Sequence, residues 1–410
     1  MSSTAPPLAL PRPEVPLWLP ALFIVCSTLA MHIFVPALPV AASALGASPH
    51  AIQFTVSLYI AGLAAGQLVY GPLADRHGRR PVLLGGLALY TLAGLAAALA
   101  PTVEWLIAAR LLQALGGCAG LVLARAIVRD TSTTADAASR LASMNLIVTI
   151  APGIAPIVGA AMAPALGWRS ILVALTGLGL AAMLIAWRRL PETGPAGSAQ
   201  DVRALARAYG GLLRSPAFLG YSVGGGCATT AMYAFIAAAP FIFIERLHRP
   251  AHEVGACLAM LVSGIWLGSV LASRLLRRVP MRPLLIVSNG VSVAAALALL
   301  ALVLLDRLTL TGTVLTMFLF TLGAGLSAPV ALTQAISVDP RVTGSASGLY
   351  GCAQMAVGAI CSSLVGLGDD PALAAALALG GAGIVGQLAF WIAGRPRAGD
   401  TRGAPATTGP

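Results

Sequence analysis

The sequence predicts an all-α polytopic membrane protein of twelve transmembrane helices in two six-helix bundles, and three observations carry that prediction. The 410 residues are 58% hydrophobic and only 10% charged, with a mean hydropathy of +0.88, far more apolar surface than a soluble core of this length could bury. Cutting the chain at proline, charged and Gly-Asp clusters leaves apolar spans at 16–39, 51–72, 81–100, 103–126, 142–165, 170–187, 216–243, 253–275, 283–304, 310–334, 344–366 and 371–394, each near the ~20 residues needed to cross a bilayer. The longest connection, 188–215, opens Arg188-Arg189-Leu190-Pro191-Glu192-Thr193 and runs on polar and Gly/Ala-rich, dividing the spans six and six as a duplicated transporter would.

The expected organisation is a tail at 1–15, a first bundle at 16–187, a linker at 188–215, a second bundle at 216–394 and a tail at 395–410. The first span is longer than a signal-peptide core and no clear small-residue cleavage site follows it, so it is expected to stay as a helix. Short turns at Pro101-Thr102 and Gly167-Trp168-Arg169 close two of the helix pairs. Duplication leaves a weak echo: Ala126-Ile127-Val128-Arg129-Asp130 after the fourth span, Ala335-Ile336-Ser337-Val338-Asp339 after the tenth. Trp18, Trp105, Trp168 and Trp391 fall near span ends and read as interfacial anchors.

All 25 basic residues are arginine. Without lysine there is no Walker A phosphate loop and no Schiff-base chemistry, so active transport by this chain must draw on an ion gradient or on a separate ATPase. The formal charge of +11 lies in loops of an apolar chain, unlike the basic polar surface of a nucleic-acid binder. With the amino terminus inside, twenty arginines fall on the cytoplasmic side, Arg125 and Arg129 among them, and only Arg169, Arg246, Arg249 and Arg307 fall outside, which places both termini in the cytoplasm. The six cysteines show no C-x-x-C spacing and read as small buried residues.

Between the second and third spans lies Gly71-Pro72-Leu73-Ala74-Asp75-Arg76-His77-Gly78-Arg79-Arg80, a short charged loop that must lie at a membrane surface. With the twelve spans, it resembles the signature Gly-x-x-x-Asp-Arg-x-Gly-Arg-Arg of the major facilitator superfamily, matched here at Gly71, Asp75, Arg76, Gly78, Arg79 and Arg80. The resemblance implies that Asp75, Arg79 and Asp130 form a latch between the two halves. Pro36-Ala37-Leu38-Pro39, Gln67-Leu68-Val69-Tyr70-Gly71-Pro72, Arg110-Leu111-Leu112-Gln113-Ala114-Leu115-Gly116 and Arg125-Ala126-Ile127-Val128-Arg129-Asp130 narrow the likeness to the Bcr/CflA type of drug:proton antiporter. That type implies an inner-membrane exporter that works as a monomer, needs no cofactor beyond the proton gradient, and moves small lipophilic or amphiphilic compounds.

In the fifth span, Ala151, Pro152, Ala155, Pro156 and Gly159 resemble the family's antiporter motif, with alanine at some glycine positions. Small residues four apart let another helix approach closely, and the prolines bend the span. Arg110 lies within the fourth span, and its guanidinium serves as a fixed charge or hydrogen-bond fork, never as a proton carrier. Four residues before Pro36, where many proteins of this type carry a carboxylate, the chain has His32. Three readings of His32 stand open: proton carrier, neutral cavity ligand and packing residue. Burial and a nearby cation both oppose its protonation. His32 and Arg110 are expected to face one another across the first bundle.

Gln53, Tyr59, Gln113, Asn145, Tyr233, Gln354 and Gln387 are candidates to line a mostly apolar cavity with few charges, suited to a neutral or weakly charged lipophilic solute. A membrane-embedded enzyme would need clustered catalytic groups, and the five histidines are dispersed. An uncoupled facilitator or exporter of a metabolite such as an amino acid remains open, because the usual acid is missing.

Overall fold

The structure, a computed structural model, describes residues 15–194 and 202–394; the rest of both predicted tails and 195–201 of the linker lie outside the described residues. Among those residues all regular structure is helical. The first half comprises α1 (Trp18–His32), a 3₁₀ turn at Val35–Ala37, α2 (Leu38–Leu45), α3 (Pro49–His77), α4 (Arg79–Ala98), α5 (Val103–Asp130), α6 (Thr134–Leu166) and α7 (Trp168–Arg189). The linker contributes α8 (Val202–Leu213). The second half holds α9 (Pro216–Thr230), α10 (Met232–Pro240), a π-helical turn at Phe241–Arg246, α11 (Ala251–Leu275), α12 (Met281–Leu304), α13 (Leu310–Ile336), α14 (Thr343–Val365) and α15 (Pro371–Ala393). Among the described residues, eleven stretches are long and apolar enough to cross a membrane. The predicted span at 142–165 falls within the single helix α6; among its described residues the apolar stretch is Ile150–Leu166.

Three local departures from the predicted spans have simple causes. The signature segment is hardly a loop: α3 runs through Gly71 to His77, α4 begins at Arg79, and Gly78 alone breaks the helix, at φ +94° and ψ 157°. The first span is interrupted after His32, because Pro36 has no N–H to bond the carbonyl four residues before it. It then resumes as α2 and ends on Gly46 in the left-handed region. The span at 216–243 likewise divides into α9, α10 and the π turn.

Helices α1 to α7 pack mainly on one another, as do α9 to α15. The Tyr90 hydroxyl donates to the Cys26 carbonyl at 3.0 Å and ties α4 to α1. In the second half, Asn289 donates to Gln387 at 2.7 Å and ties α12 to α15. Across the halves, α3 lies against α14 and α6 against α11. On the α3–α14 seam the Ser57 and Ser362 hydroxyls meet at 2.9 Å. Beside them Gln53 is fully buried with neither amide atom bonded to protein. On the α6–α11 seam Gly255 lies against the Pro156 carbonyl. At the end of the molecule far from Gly78, Arg246 bridges Asp306 at 3.3 Å and Asp370 at 2.8 Å.

Trp18, Trp105 and Trp391 are about half exposed, as interfacial residues are, but Trp168 is only 4% exposed. It packs edge-on against Phe34 at 6.2 Å, with the Arg169 guanidinium 4.2 Å above its ring, so it belongs to the core.

Candidate functional site

The charged end of α3 is assembled around Arg79. Its Nη1 donates to Asp75 at 2.5 Å and its Nε to Asp130 at 3.0 Å, so one guanidinium joins the ends of α3, α4 and α5. Charge-assisted bonds of this kind are among the stronger in proteins. Glu192, the second residue past Leu190 at the end of α7, completes the cluster. Its carboxylate accepts from the backbone N–H of Arg79 at 2.7 Å and of Arg80 at 3.2 Å, capping α4 at the positive end of its dipole. Arg80 in turn donates to the Trp187 carbonyl at 2.7 Å. Arg76 points out exposed, and Gly71 is an ordinary helical position with open space beside it. The cluster is drawn from the first half and the start of the linker; nearby crossings to the second half are Gln67 against Gly351 and Leu68 against the second half's core.

Gly78 is required here twice over. Its backbone lies where only glycine sits comfortably, a strain of about 1–3 kcal/mol for other residues. A Cβ there would also lie 2.6 Å from a Glu192 carboxylate oxygen. Gly78→Ala is therefore expected to lower the melting temperature of purified protein clearly, and Glu192→Gln to lower it less. An unchanged melt for Gly78→Ala would refute the cap.

Arg110 is fully buried inside the first half. Its Nη1 donates to Gln113 Oε1 at 2.7 Å and its Nη2 to the Ala30 carbonyl at 2.7 Å. Tyr59 stacks on the guanidinium at 4.3 Å, and Phe34 lies at 5.5 Å. The Tyr59 hydroxyl donates to the Ser27 carbonyl at 3.0 Å. No carboxylate bonds Arg110 among the described residues, and its Nε has no partner. It is a buried cation held by dipoles and aromatic faces alone.

His32 lies elsewhere. No hydrogen bond or ring contact joins it to Arg110 among the described residues; it lines a cavity of about 260 Å³ between the two halves. The expected pairing across the first bundle is thus replaced by two separate environments. His32 Nδ1 lies 2.8 Å from the Thr28 carbonyl. A carbonyl only accepts, so Nδ1 carries a proton, and a neutral ring then keeps Nε2 as an acceptor. Tyr233 of the second half stands opposite, with ring centroids 6.2 Å apart.

The cavity wall is otherwise largely apolar: Ser27, Thr28, Met31, Leu63, Leu121, Pro152, Pro156, Met232, Ile236, Leu258, Leu261, Val262, Ile265 and Met355, together with Arg125. Of the antiporter-like motif, Pro152 and Pro156 face this cavity. Ala151 and Ala155 are buried, and Gly159 lies directly against the Ile33 carbonyl at the break in α1. Of the six cavity candidates whose side chains are described, only Tyr233 is in the wall. Tyr59 and Gln113 surround Arg110, Gln53 is in the α3–α14 seam, and Gln387 is bonded within the second half. Gln354 donates to Thr229 at 2.7 Å while its neighbour Met355 faces the cavity. The Asn145 side chain lies outside the described residues.

Glu192 and Arg125 are two residues of these sites whose placement the sequence concealed. In the sequence Arg125 is one of the cytoplasmic-side charges and the first residue of the motif that closes the fourth span; the structure places it in the cavity wall. Its spacing from Leu121, one helical turn away on the same wall, was the available signal.

The family profile described as Major Facilitator Superfamily matches residues 21–362. The chain is 30% identical over 357 residues to the Multidrug resistance protein MdtL of Escherichia fergusonii, covering 84% of this chain and 89% of that one. It is 26% identical over 365 residues to the bicyclomycin resistance protein homolog of Haemophilus influenzae, covering 88% and 92%. A crystal structure of a D-xylose–proton symporter superposes with a TM-score of 0.72 at 15% identity, over 92% of this chain and 95% of that one, a likeness of fold alone. Two helical halves about a cavity, the charged cluster at Gly78 and a family match over most of the chain lead to one conclusion: this chain belongs to the Major Facilitator Superfamily and is a membrane transporter, not an enzyme.

Proposed function

We propose that the protein is an inner-membrane exporter, with both termini cytoplasmic, that carries small amphiphilic drugs or metabolites outward in exchange for protons, its two halves opening alternately to either side. It acts as a monomer and uses no bound cofactor. The observation that carries this reading is the cavity between the halves, into which one imidazole, His32, offers an acceptor nitrogen. The relatives named for multidrug and bicyclomycin resistance support an amphiphilic substrate. A substrate hydroxyl or amide N–H bonds His32 Nε2 when the ring is neutral. A proton on Nε2 removes that acceptor, so substrate and proton compete for one atom, which is the requirement for exchange.

A second reading, uncoupled export of a metabolite, is favoured by the lack of any carboxylate in the described cavity wall. Proteoliposomes decide between them, with chloramphenicol as the probe. Native protein is expected to show drug-driven proton flux, His32→Ala to lose it by tenfold or more, and His32→Asp to retain it in part. Coupled flux surviving in the alanine variant would remove His32 from the mechanism, and drug movement without proton flux in native protein would establish the uncoupled reading.

A further inference from the structure

We propose that the cavity selects small amphiphilic monocarboxylates, with Arg125 as the group that binds the carboxylate; this rests on the reading above that the central cavity is the transport site. Arg125 is exposed although it lies within α5, because its side chain faces the cavity. It has no hydrogen bond or ion pair to another described residue. The acid nearest it on its own helix, Asp130, is taken by Arg79, and Glu104 lies at the opposite end of α5. The next charge toward Asp130, Arg129, is a second exposed cation. The described cavity wall therefore holds one full positive charge and no negative one. A cation entering meets repulsion with no compensating acid. An anion meets a planar fork that matches a carboxylate in two bonds.

The position of Arg125 also sets the ligand's length. Gly120 of α5 lies against the Phe23 carbonyl of α1, which sets the register of these antiparallel helices; His32 is nine residues beyond Phe23 toward one end and Arg125 five beyond Gly120 toward the other. At 1.5 Å per residue the two backbones lie roughly 21 Å apart along the bundle axis, and because both side chains lean toward their helix N-termini, and so toward one another, about 10–13 Å separates the guanidinium from the imidazole. Between them the wall is apolar, with Leu121, Met31 and Leu63. The fitting molecule has a carboxylate at one end, an apolar body, and a hydroxyl or N–H donor at the other end for His32 Nε2. This sharpens the expectation of a neutral or weakly charged solute to a single negative charge at a defined end.

The test uses three chains of equal length: 10-hydroxydecanoate, 10-hydroxydecanamide and 10-amino-1-decanol, titrated into full-length protein in nanodiscs of zwitterionic lipid. Native protein is expected to bind the carboxylate at least tenfold tighter than the amide and to bind the amine weakest. Arg125→Gln is expected to bring the carboxylate within about twofold of the amide, and Arg125→Lys to keep part of the preference, which separates lost charge from lost fold. Equal or tighter binding of the amide or amine by native protein, or a preference that survives in Arg125→Gln, would overturn the proposal. If none of the three binds while expression still lowers chloramphenicol accumulation in cells, this inference falls and the exporter reading stands. If neither binding nor export is seen, both fall.

Discussion

Arg110→Met is expected to give a protein that melts at or near the native temperature yet exports at least about tenfold more slowly, a loss of roughly 1.4 kcal/mol or more in transition-state terms. The two halves of that expectation have different origins. Arg110 is fully buried without a carboxylate among the described residues, so its charge bears a desolvation cost that Gln113, Ala30 and the Tyr59 face offset only in part. Methionine fills much of the same volume with no charge to desolvate. Removing the two donors leaves the Ala30 carbonyl and Gln113 Oε1 short of a partner, at about 1–3 kcal/mol each. Replacing buried ionic groups by apolar ones commonly returns about 1–4 kcal/mol. These terms nearly cancel, unlike the roughly 3–5 kcal/mol lost when one member of a buried ion pair is removed.

Export falls because Arg110 grips the Ala30 carbonyl next to the break in α1 that presents His32. Arg110→Lys is expected to be the less stable variant, since one ammonium cannot serve both acceptors and still lie flat on Tyr59. Thermal melts and chloramphenicol efflux from cells read the two effects separately. A methionine variant that melts about 10 °C lower, beside a native-like lysine variant, would mark Arg110 as a structural ion and contradict this account.

The second large effect is expected at Gly159. A Cβ at this position would fall within contact distance of the Ile33 carbonyl oxygen. Backbone cannot rotate aside as a side chain can. Overpacking costs typically about 1–3 kcal/mol and more when nothing yields, so Gly159→Leu is expected to abolish recovery of monodisperse protein and Gly159→Ala to lower the melting temperature. Gly153, six residues earlier on α6, provides the control: a Cβ there meets only Val262 at 3.6 Å, and Gly153→Ala is expected to melt like the native protein. Native-like behaviour of Gly159→Leu in size-exclusion chromatography and melting would mean that α6 and α1 do not approach as described.

The helices were legible in the sequence because lipid demands long apolar runs, and the charged cluster because so few charges interrupt them. The association of Arg79 with Asp75 and Asp130 is implied by the family resemblance and not by helix spacing, since Gly78 breaks the helix between Asp75 and Arg79. Glu192 was not legible. It bonds backbone amides, and no side-chain pattern announces those. The direction of Arg125 was hidden for another reason: its facing depends on the rotation of α5, which close contacts such as Gly116 against the Tyr90 backbone determine. Polarity within a span proved a poor guide to the cavity. Gln354 and Gln387 bond neighbouring helices, as polar groups in lipid do, Gln113 serves Arg110 on its own helix, Gln53 lies in the α3–α14 seam, and of the described candidates only Tyr233 reaches the cavity wall.

The buried Gln53 amide bears on energetics as well as packing. A seam closed only by apolar side chains sits in a deep well, and parting it exposes surface that resists exposure. Here the α3–α14 seam seals over an amide with neither atom bonded to protein, a burden of about 1–3 kcal/mol that is relieved as soon as the amide meets a hydrogen-bonding partner. Since each 1.4 kcal/mol is a factor of ten in population, one glutamine shifts the balance between a shut and a parted seam by roughly one to two orders of magnitude. For the proposed alternation between the halves, the Gln53 amide lowers the cost of parting this seam.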